Sequence, residues 1–531
     1  MSDLLHQHAI DDQDHARAAR WFLSASERGN PDTAIDGRRP DGTAWTTGND
    51  ITVHVHGADY FAALARELAL VGAGDLVLFT DWRGDPDELL TPDGPSVSEA
   101  LTAAARRGAD VRGLVWRSHL DRFAFSAAEN RHIGEAIEDA GGQCLLDQRV
   151  RFLGSHHQKL VVVRYAASPQ DDVAFVGGID LCHSRRDDAS HDGDPQAVRM
   201  APVYGRRPPW HDVQLEVRGP AVADLEHTFR ERWDDPWPLS LNPVHLAGEV
   251  LHREQLRGRP LPAPSAQPER RGDLAVQVLR TYPRRRPAYP FARRGERSIA
   301  RAYLKALSLA RRLVYLEDQY LWSPEVAHVL SDALAREPLL RMVIVVPAYP
   351  DQDGRISGPP NVAGRDPVLR LLSEAGGDRV AVLSPENRDG TPVYVHAKVS
   401  VIDDEWACVG SDNVNRRSWT HDSELSAAFV DDPDGGAVQR LRLRLAREHL
   451  EGGDGDVLRD PVSWFDALTS SAEALDAWHR SGAHGSRPPG RLRPYRHDPL
   501  PTSTRRWARW LYDVAYDPDA RSRRERRDGA F

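Results

Sequence analysis

HHQKLVVV, residues 156–163, and VHAKVSVID, residues 395–403, are the two stretches that decide the fold of this chain. Each places a histidine, one intervening residue and a lysine at the start of a valine-rich run, and such runs are typical of β-strands. An imidazole and an ammonium group are costly to bury unless they are paired or take part in chemistry. The same costly combination, present twice, therefore indicates an internal duplication with a functional purpose.

Other landmarks recur around the two histidines in the same order. Asp81 precedes His157 by 76 residues, and Asp318 precedes His396 by 78 residues. Downstream of the histidines, two pairs of matching segments follow, namely VAFVGGID (173–180) with WACVGSDN (406–413), and HDVQL (211–215) with HDSEL (421–425). A register shared over this distance predicts two copies of one structural unit.

Amphipathic helices alternate with short apolar strands in both parts of the chain. Examples are the helix from Asp59 before the strand DLVLFTDW, and the helix SIARAYLKALSLA before LVYLEDQY. The alternation predicts an α/β fold with two similar halves, each a mostly parallel β-sheet flanked by helices, related by a pseudo-two-fold axis. The predicted divisions are an N-terminal half (1–250, signature 151–186), a linker or surface crossing (251–275), a C-terminal half (276–450, signature 390–417) and a helical, Pro- and Arg-rich extension (451–531).

Composition narrows the class of protein. With 531 residues, 40% of them hydrophobic, the chain can bury an ordinary globular core. Its 69 basic and 79 acidic side chains give a formal charge of -10, so we expect no global basic field and no stable nucleic-acid partner. Three cysteines and a charged N-terminus favour a cytoplasmic protein, and a peripheral association with membranes is compatible with the strand-sized apolar runs.

The repeated strand can supply the groups that phosphodiester chemistry requires. Alternate side chains of a strand share a face, so His157 projects with Lys159 and His396 with Lys398. Brought together across a two-fold axis, the two pairs would form a pocket in which the lysines stabilise the charge of a transferring phosphoryl group. Hydrogen-bond donors and turns at the phosphate are expected from Gly177, Gly178, Ser411 and Asn413.

The chemistry needs one neutral histidine to attack phosphorus and one protonated histidine to donate a proton to the departing alcohol. Carboxylates can make two equivalent imidazoles inequivalent, and the candidates are Asp212 and Glu424 in HDVQL and HDSEL. Asp180, at the same offset as Asn413, is a further supporting group. We expect no metal and no required cofactor, and interpret the acidic stretch SRRDDASHDGDPQ from Ser184 as a solvated loop.

These motifs resemble those of the phospholipase D superfamily, whose signature is His-x-Lys-x4-Asp followed by a Gly-Gly or Gly-Ser turn, present twice. In the first copy Arg164 stands at the aspartate position, and Asp171 or Asp172 is a candidate replacement. The second copy matches in full, with His396, Lys398, Asp403, Gly410, Ser411 and Asn413.

The resemblance covers Val53 to Phe429 and is greatest with the lipid-hydrolysing phospholipases D. It implies a covalent phosphohistidine, with His157 as the nucleophile, His396 as the general acid and Asp403 as a structural support. Because short nuclease members carry one signature per chain and must dimerise, two signatures here imply a complete site in a monomer.

The leading functional hypothesis is hydrolysis of a phospholipid headgroup to phosphatidic acid at a membrane surface, with alcohols able to replace water. The alternatives are a phosphatidyltransferase of the cardiolipin-synthase type, a nuclease, and a non-catalytic lipid or phosphate binder. The headgroup, and the balance between hydrolysis and transfer, stay open at the level of sequence. So does the role of RRWARWLYDVAY, residues 505–516, which is either a membrane-surface helix or a helix packed on the core.

Overall fold

The computed structural model describes residues 15–37, 39, 42–118, 127–243, 255–352, 358–433, 435–496 and 500–531. The strands of the first half are β1 (Thr46–Val55), β2 (Leu76–Asp81), β3 (Asp110–Trp116), β4 (Gln143–Asp147), β5 (Leu160–Arg164), β6 (Val173–Gly177), β7 (Trp210–His211) and β8 (Val213–Arg218). Those that follow are β9 (Leu274–Tyr282), β10 (Glu296–Arg297), β11 (Leu313–Glu317), β12 (Arg341–Val345), β13 (Val380–Pro385), β14 (Tyr394–Val395), β15 (Val399–Ile402), β16 (Trp406–Gly410), β17 (Glu424–Val430) and β18 (Leu492–Pro494). The α-helices are α1 (Ala25–Arg28), α2 (Gly57–Leu70), α3 (Val97–Arg106), α4 (Ala127–Asp139), α5 (Ala221–Trp233), α6 (Ser298–Leu309), α7 (Pro324–Arg336), α8 (Gly358–Gly376), α9 (Arg416–Thr420), α10 (Ala437–His449), α11 (Gly455–Arg459), α12 (Pro461–Arg480), α13 (Thr502–Leu511) and α14 (Arg523–Arg527).

One continuous sheet of 16 strands runs through both halves in the order β4-β3-β2-β5-β6-β8-β1-β9-β17-β16-β15-β11-β12-β13-β18, with β10 paired to β9. Outward from the central antiparallel pair of β1 and β9, the two halves repeat the same order of equivalent strands. The separate strands β7 and β14 form a parallel pair that joins the halves. The α/β class and the repeated architecture are therefore confirmed, while the pseudo-two-fold axis stays a prediction.

The expectation of a mostly parallel sheet in each half is wrong. Among the described strands of the large sheet, parallel pairing is confined to β2-β3-β4 and to β11-β12-β13. The other neighbours are antiparallel, including β5 with β6 and β15 with β16. Short connections such as the turn between β15 and β16 permit only antiparallel pairing, whereas parallel strands require a long crossover, here supplied by α3, α4, α7 and α8.

The core lies on both faces of the sheet. On one face, α5, α10 and α12 cover strands of both halves with a single apolar cluster that includes Leu225, Phe229, Leu441 and Trp464. On the other face each half has its own cluster, beneath α2, α3 and α4 in the first half and beneath α6, α7 and α8 in the second. The shared face makes the two halves one folding unit, because neither could expose its part of that cluster to water without cost.

The domain boundaries expected from the sequence remain predictions. Residues 1–14 of the N-terminal half and residues 244–254, around its boundary with the linker, lie outside the described residues. Between residues 255 and 273 the chain has no helix or strand and crosses α5, where Trp233 Nε1 donates to the carbonyl of Arg259 at 2.9 Å. After residue 450 the described chain contains α11 to α14 and also contributes β18, which extends the sheet beside β13. None of the helices in the described part of the chain has the length and apolar character needed to cross a bilayer.

Candidate active site

Equivalent aspartates mark the edge of the sheet at which both signatures lie. Asp81, the last residue of β2, accepts the backbone N–H of Leu181 at 2.8 Å. Asp318, directly after β11, accepts the backbone N–H of Val414 at 2.7 Å. Leu181 and Val414 follow the matching turns VAFVGGID and WACVGSDN, so the register read from the sequence corresponds to the same contact in each half.

Each signature histidine is held by a carboxylate of the opposite half. Nδ1 of His157 lies 2.8 Å from Oε2 of Glu424, and Nδ1 of His396 lies 2.7 Å from Oδ2 of Asp212. The backbone repeats the exchange, because the N–H of His157 donates to the carbonyl of Ser423 at 2.9 Å. The two halves are therefore joined at the histidines themselves, and the structure brings the predicted carboxylates to them.

Burial and the neighbouring cations disfavour the protonated form of both imidazoles in the protein without substrate. Burial, followed by the charges of Lys159 and Lys398, holds the pKa of His157 well below its usual value. Burial, followed by the charges of Lys398 and Arg185, does the same to the pKa of His396, and Lys159 adds to it. Because both lysines act on both imidazoles, the two signatures contribute to one electrostatic site.

Each lysine donates to the carbonyl of its own signature histidine, Lys159 at 3.0 Å, and the two differ in their other partners. Nζ of Lys159 lies 3.1 Å from Oδ1 of Asp180, whose other oxygen accepts from Arg185 at 3.3 Å. Nζ of Lys398 donates to the carbonyl of His396 and lies 3.3 Å from the side-chain oxygen of Gln319. Burial lowers the pKa of Lys398 to about 8.

The charges on Asp180 follow from these contacts. Burial opposes its ionisation, but Lys159 and Arg185 hold the pKa of Asp180 well below its usual value. The adjacent Asp81 has its pKa raised by burial and by the charge of Asp180. In the second half the position of Asp180 is occupied by Asn413, which is buried and carries no charge. Lys159 thus contacts a carboxylate directly, whereas the carboxylates that act on Lys398, those of Asp212 and Asp318, form no ion pair with it within 4 Å among the described residues.

The glycine turn of the first half packs tightly against neighbouring chain, and its predicted role as a phosphate donor stays a prediction. The N–H of Gly178 already donates to the carbonyl of Val213 at 3.0 Å. A Cβ at Gly178 would lie 2.1 Å from Oδ1 of Asp212, and a Cβ at Gly177 would lie 2.6 Å from the carbonyl of Val213. Glycine is required here because β8 and its carboxylate approach the turn closely.

Ser411 also acts on a carboxylate rather than on an open pocket. Its hydroxyl donates to Oε2 of Glu424 at 2.6 Å and accepts from the N–H of Leu425 at 3.0 Å. Burial, with a contribution from Asp422, raises the pKa of Glu424 to about 8. Burial also raises the pKa of Asp212, although Lys398 and Arg185 oppose the shift.

The supporting acid differs between the halves. Asp403 accepts the backbone N–H groups of Arg311, Arg312 and Leu313 at 2.7 to 2.9 Å, so it stabilises the start of β11. In the first half the acid and the donor have exchanged places. Asp75, before β2, supplies the carboxylate, and it accepts the N–H of Ala166, after β5, at 2.8 Å.

Arg164 takes part in a buried network instead of a catalytic one. It lies 2.8 Å from Asp172, which accepts the N–H of Tyr165 at 2.7 Å, and it also pairs with Glu226. Asp172 therefore stabilises the turn after β5, rather than the start of the neighbouring strand that Asp403 stabilises in the second half. The replacement of the signature aspartate by Asp171 or Asp172 stays a prediction.

Aromatic side chains that the sequence reasoning did not assign lie against the histidines. The ring of Trp82 lies 6.4 Å from that of His157 and stacks on Trp116 at 5.5 Å. The ring of Trp210 lies 5.0 Å from that of His396, and Arg185 lies 4.0 Å above Trp210. The signal was the position of these tryptophans near the recurring aspartates, with Trp82 directly after Asp81 in FTDW and Trp210 two residues before Asp212 in WHDV.

A second polar cluster lies behind Asp212 and could hold a metal ion. Glu448 contacts three imidazoles, those of His56 at 3.0 Å, His191 at 3.2 Å and His211 at 3.2 Å, and all the ligand atoms lie within 4.8 Å of one another. Imidazole nitrogen with carboxylate oxygen is a donor set suited to divalent transition metals. Burial opposes the charge of Glu448, but the three imidazoles hold its pKa well below the usual value.

Sequence reasoning missed this cluster because its members come from four distant segments. One of them, His191, lies in the acidic stretch that was interpreted as a solvated loop, and it is buried. His211 also lies 2.7 Å from Glu317 at the end of β11. The cluster is therefore linked through the backbone to Asp212 and so to His396.

Several known proteins are similar to this chain in sequence or in fold. A family model described as Phospholipase D matches residues 133–333 and 368–484. Phospholipase D alpha 1 of Oryza sativa subsp. japonica is 24% identical over 74% of this chain, and phospholipase D alpha 2 of the same plant is 26% identical over 77%. The alignments cover 64% and 60% of these relatives, so the chain spans less than two thirds of their length. The crystal structure of phosphatidylserine synthase from Haemophilus influenzae has a similar fold, with a TM-score of 0.52 at 14% identity, and the match covers 82% of this chain and 93% of that one.

Proposed function

This chain belongs to the phospholipase D family, and from that premise we propose that it hydrolyses the headgroup ester of a phospholipid to release phosphatidic acid. The observation that carries the proposal is the crossed pair of contacts, His157 with Glu424 and His396 with Asp212. It supports two oriented imidazoles, one from each half, acting on a single phosphorus. The names of the plant relatives support a phospholipid substrate.

In the first step, Nε2 of His157 attacks phosphorus while the bond from phosphorus to the headgroup oxygen breaks. His396, protonated for this step, donates its proton to that oxygen, so the headgroup leaves as an alcohol. In the second step a water gives a proton to His396 and attacks phosphorus, the phosphorus–nitrogen bond breaks, and phosphatidic acid is released. An alcohol in place of water would yield a new phosphatidyl ester.

Glu424 and Asp212, the carboxylates that contact the two histidines, differ in their surroundings, and this difference supports His157 as the nucleophile. Oε2 of Glu424 accepts the hydroxyl proton of Ser411 and therefore faces His157 as an acceptor, which leaves Nε2 of the imidazole unprotonated. Burial raises the pKa of Glu424 to about 8, so this acid is poorly able to stabilise an imidazolium. Asp212, whose ionisation Lys398 and Arg185 favour, is better suited to support protonated His396.

The test compares His157→Ala and His396→Ala on phosphatidylcholine vesicles and on p-nitrophenylphosphocholine. On vesicles we expect both variants to lose activity, by about 10²–10⁴-fold for loss of the acid and by at least as much for loss of the nucleophile. On the activated ester, whose leaving group needs no proton, His396→Ala should still release a rapid burst of about one p-nitrophenolate per protein molecule and then slow, because the second step lacks its base, whereas His157→Ala should give no burst. The opposite pattern would exchange the two roles.

A chemical trap examines the intermediate directly. Wild-type protein mixed with a substrate labelled at phosphorus and quenched in base should carry label that is lost on mild acid treatment, as expected for a phosphohistidine. Equal release of choline by wild type and by both variants would reject the proposed site. Tight vesicle binding with no turnover of phosphatidylcholine or other phospholipids would instead favour a lipid binder, and cleavage of single-stranded DNA alone would favour a nuclease.

A further inference from the structure

The C-terminal helix carries an apolar stripe that points into solvent. α13 and the turn that follows it expose Trp507, Trp510 and Val514, with 37%, 66% and 45% of each residue accessible. These positions recur at helical spacing, so they share one face. The opposite face is packed on the protein through Ala508 and Tyr512, both fully buried. Burial against the core therefore accounts for one face of this helix and leaves the tryptophan face without an explanation.

The same part of the surface includes the loop that leads into the first signature. Phe152 is 76% exposed, and Leu153 beside it is 37% exposed. Arg417 ties this loop to the C-terminal segment, because it donates to the carbonyl of Leu153 at 2.7 Å and to the carbonyl of Ala515 at 2.9 Å. Arg417 thus connects the exposed loop at Phe152 and Leu153 to the exposed face of the C-terminal segment.

Arg417 also lies close to the reacting groups. Arg417 pairs with Asp422 at 2.7 Å, and Asp422 accepts from the N–H and hydroxyl of Ser155 at 3.0 and 2.9 Å. Two residues further along each segment are His157 and Glu424, which contact each other. The exposed apolar residues are therefore connected, through Arg417 and Asp422, to the two segments that carry His157 and Glu424.

The C-terminal segment has a net positive charge, in contrast to the chain as a whole. The chain as a whole has a formal charge of -10, but residues 501–531 contain eight arginines and five acids. Exposed arginines lie on α13, beside the tryptophans, and on α14, namely Arg505, Arg506, Arg523, Arg524, Arg526 and Arg527. Tryptophan beside arginine on an exposed helix is the composition that lies at the boundary between lipid headgroups and acyl chains.

We propose that the tryptophan face of α13 and the Phe152–Leu153 loop dock on a bilayer that contains anionic phospholipid, and hold the active-site entrance against it. The inference rests on the proposed action on phospholipids, because it assigns the surface through which such a substrate would arrive. The family match ends at residue 484, so α13 lies outside the part of the chain that the match covers. Phosphatidic acid, the proposed product, is itself anionic and would strengthen the attachment.

The experiment measures binding without turnover. In a His157→Ala background, the protein is sedimented with vesicles of phosphatidylcholine alone and of phosphatidylcholine with phosphatidylglycerol. We expect binding to the anionic vesicles, and a loss of about tenfold or more in affinity for Trp507→Ser/Trp510→Ser. Brominated acyl chains should quench part of the tryptophan emission of the parent and clearly less of that of the double variant.

The matched control is Leu70→Ser/Leu339→Ser, which removes two apolar side chains that are 71% and 77% exposed and precede β2 and β12 at the opposite edge of the sheet. This variant should bind the anionic vesicles like the parent. Equal losses in both variants, or unchanged binding in the tryptophan variant, would overturn the proposal. So would loss of self-association without loss of vesicle binding, since the face would then cover a second copy of the chain.

Activity separates this inference from the proposed function. With active protein, Trp507→Ser/Trp510→Ser should slow the turnover of vesicles and leave that of soluble p-nitrophenylphosphocholine unchanged. If wild type turns over neither substrate, the proposed function is rejected. The docking proposal is then decided by the sedimentation experiment alone. Equal slowing on both substrates would overturn the docking role.

Discussion

The first half of the molecule places a carboxylate in direct contact with its signature lysine, and the second half leaves its lysine without such a contact among the described residues. Lys159 forms an ion pair with Asp180. Lys398 instead contacts the uncharged side chain of Gln319, and in the second half Asn413 occupies the position that corresponds to Asp180. The contacts between histidine and carboxylate are equivalent in the two halves, so the duplication preserved the orientation of the imidazoles and changed the charge around them. A symmetric site would hold two identical histidines, and the proposed chemistry requires two different ones.

The largest effect is expected from the carboxylates, where the comparison can be broken most directly. Asp212→Asn removes the anion that would support protonated His396, and kcat should fall by about 10²-fold or more. Glu424→Gln should cost clearly less, because burial already favours the uncharged acid and an amide oxygen can still accept from His157 and Ser411. The measurement is kcat on phosphatidylcholine vesicles, with the thermal midpoint as a check on folding. Equal losses, or a larger loss for Glu424→Gln, would contradict the assigned asymmetry.

A smaller effect on activity is expected in the alkaline limb of the pH profile. The pKa of Lys398 is lowered by burial to about 8, so its positive charge is present below that pH and is lost as the pH rises through it. We expect kcat/KM to decline above about pH 8, and Lys398→Arg to move the decline to higher pH because arginine stays charged.

The first-half lysine provides the control for this profile. Lys159→Arg, at the position paired with Asp180, should leave the midpoint of the alkaline decline in place even if the rate falls. If the two arginine variants move the limb equally, the difference between the lysines has no functional consequence.

The smallest effect on activity is expected at the supporting acids, where stability should change instead. Asp403→Ala leaves three backbone N–H groups at the start of β11 without their acceptor and should destabilise the fold by about 1–3 kcal/mol. Asp75→Ala should cost less, because it frees only the N–H groups of Gly72 and Ala166. Thermal midpoints give the order, and kcat per folded molecule should stay near that of wild type in both. A large loss of kcat in a stable Asp403→Ala protein would indicate a role in the chemistry.

Several features could be predicted from the sequence because they depend on local pattern. Periodicity located the helices from Gly57, Val97, Ser298 and Pro324, and the strands that follow them. The spacing of Asp81 and Asp318 from the histidines predicted the duplication, and the structure gives both aspartates the same contact. Strand direction was predicted less well, because periodicity is the same for a parallel and an antiparallel strand.

The sequence by itself determined which groups are repeated: two histidines, two lysines, and the segments that carry Asp212 and Glu424. Only the tertiary structure decided that each carboxylate contacts the histidine of the other half, that the glycines serve close packing, and that His56, His191, His211 and Glu448 meet. The reason is physical. Repetition and spacing can be read along the chain. The contact of His396 with Asp212 joins residues that are 184 positions apart, and that of His157 with Glu424 joins residues 267 positions apart, so both contacts exist only after the two halves have folded into one sheet.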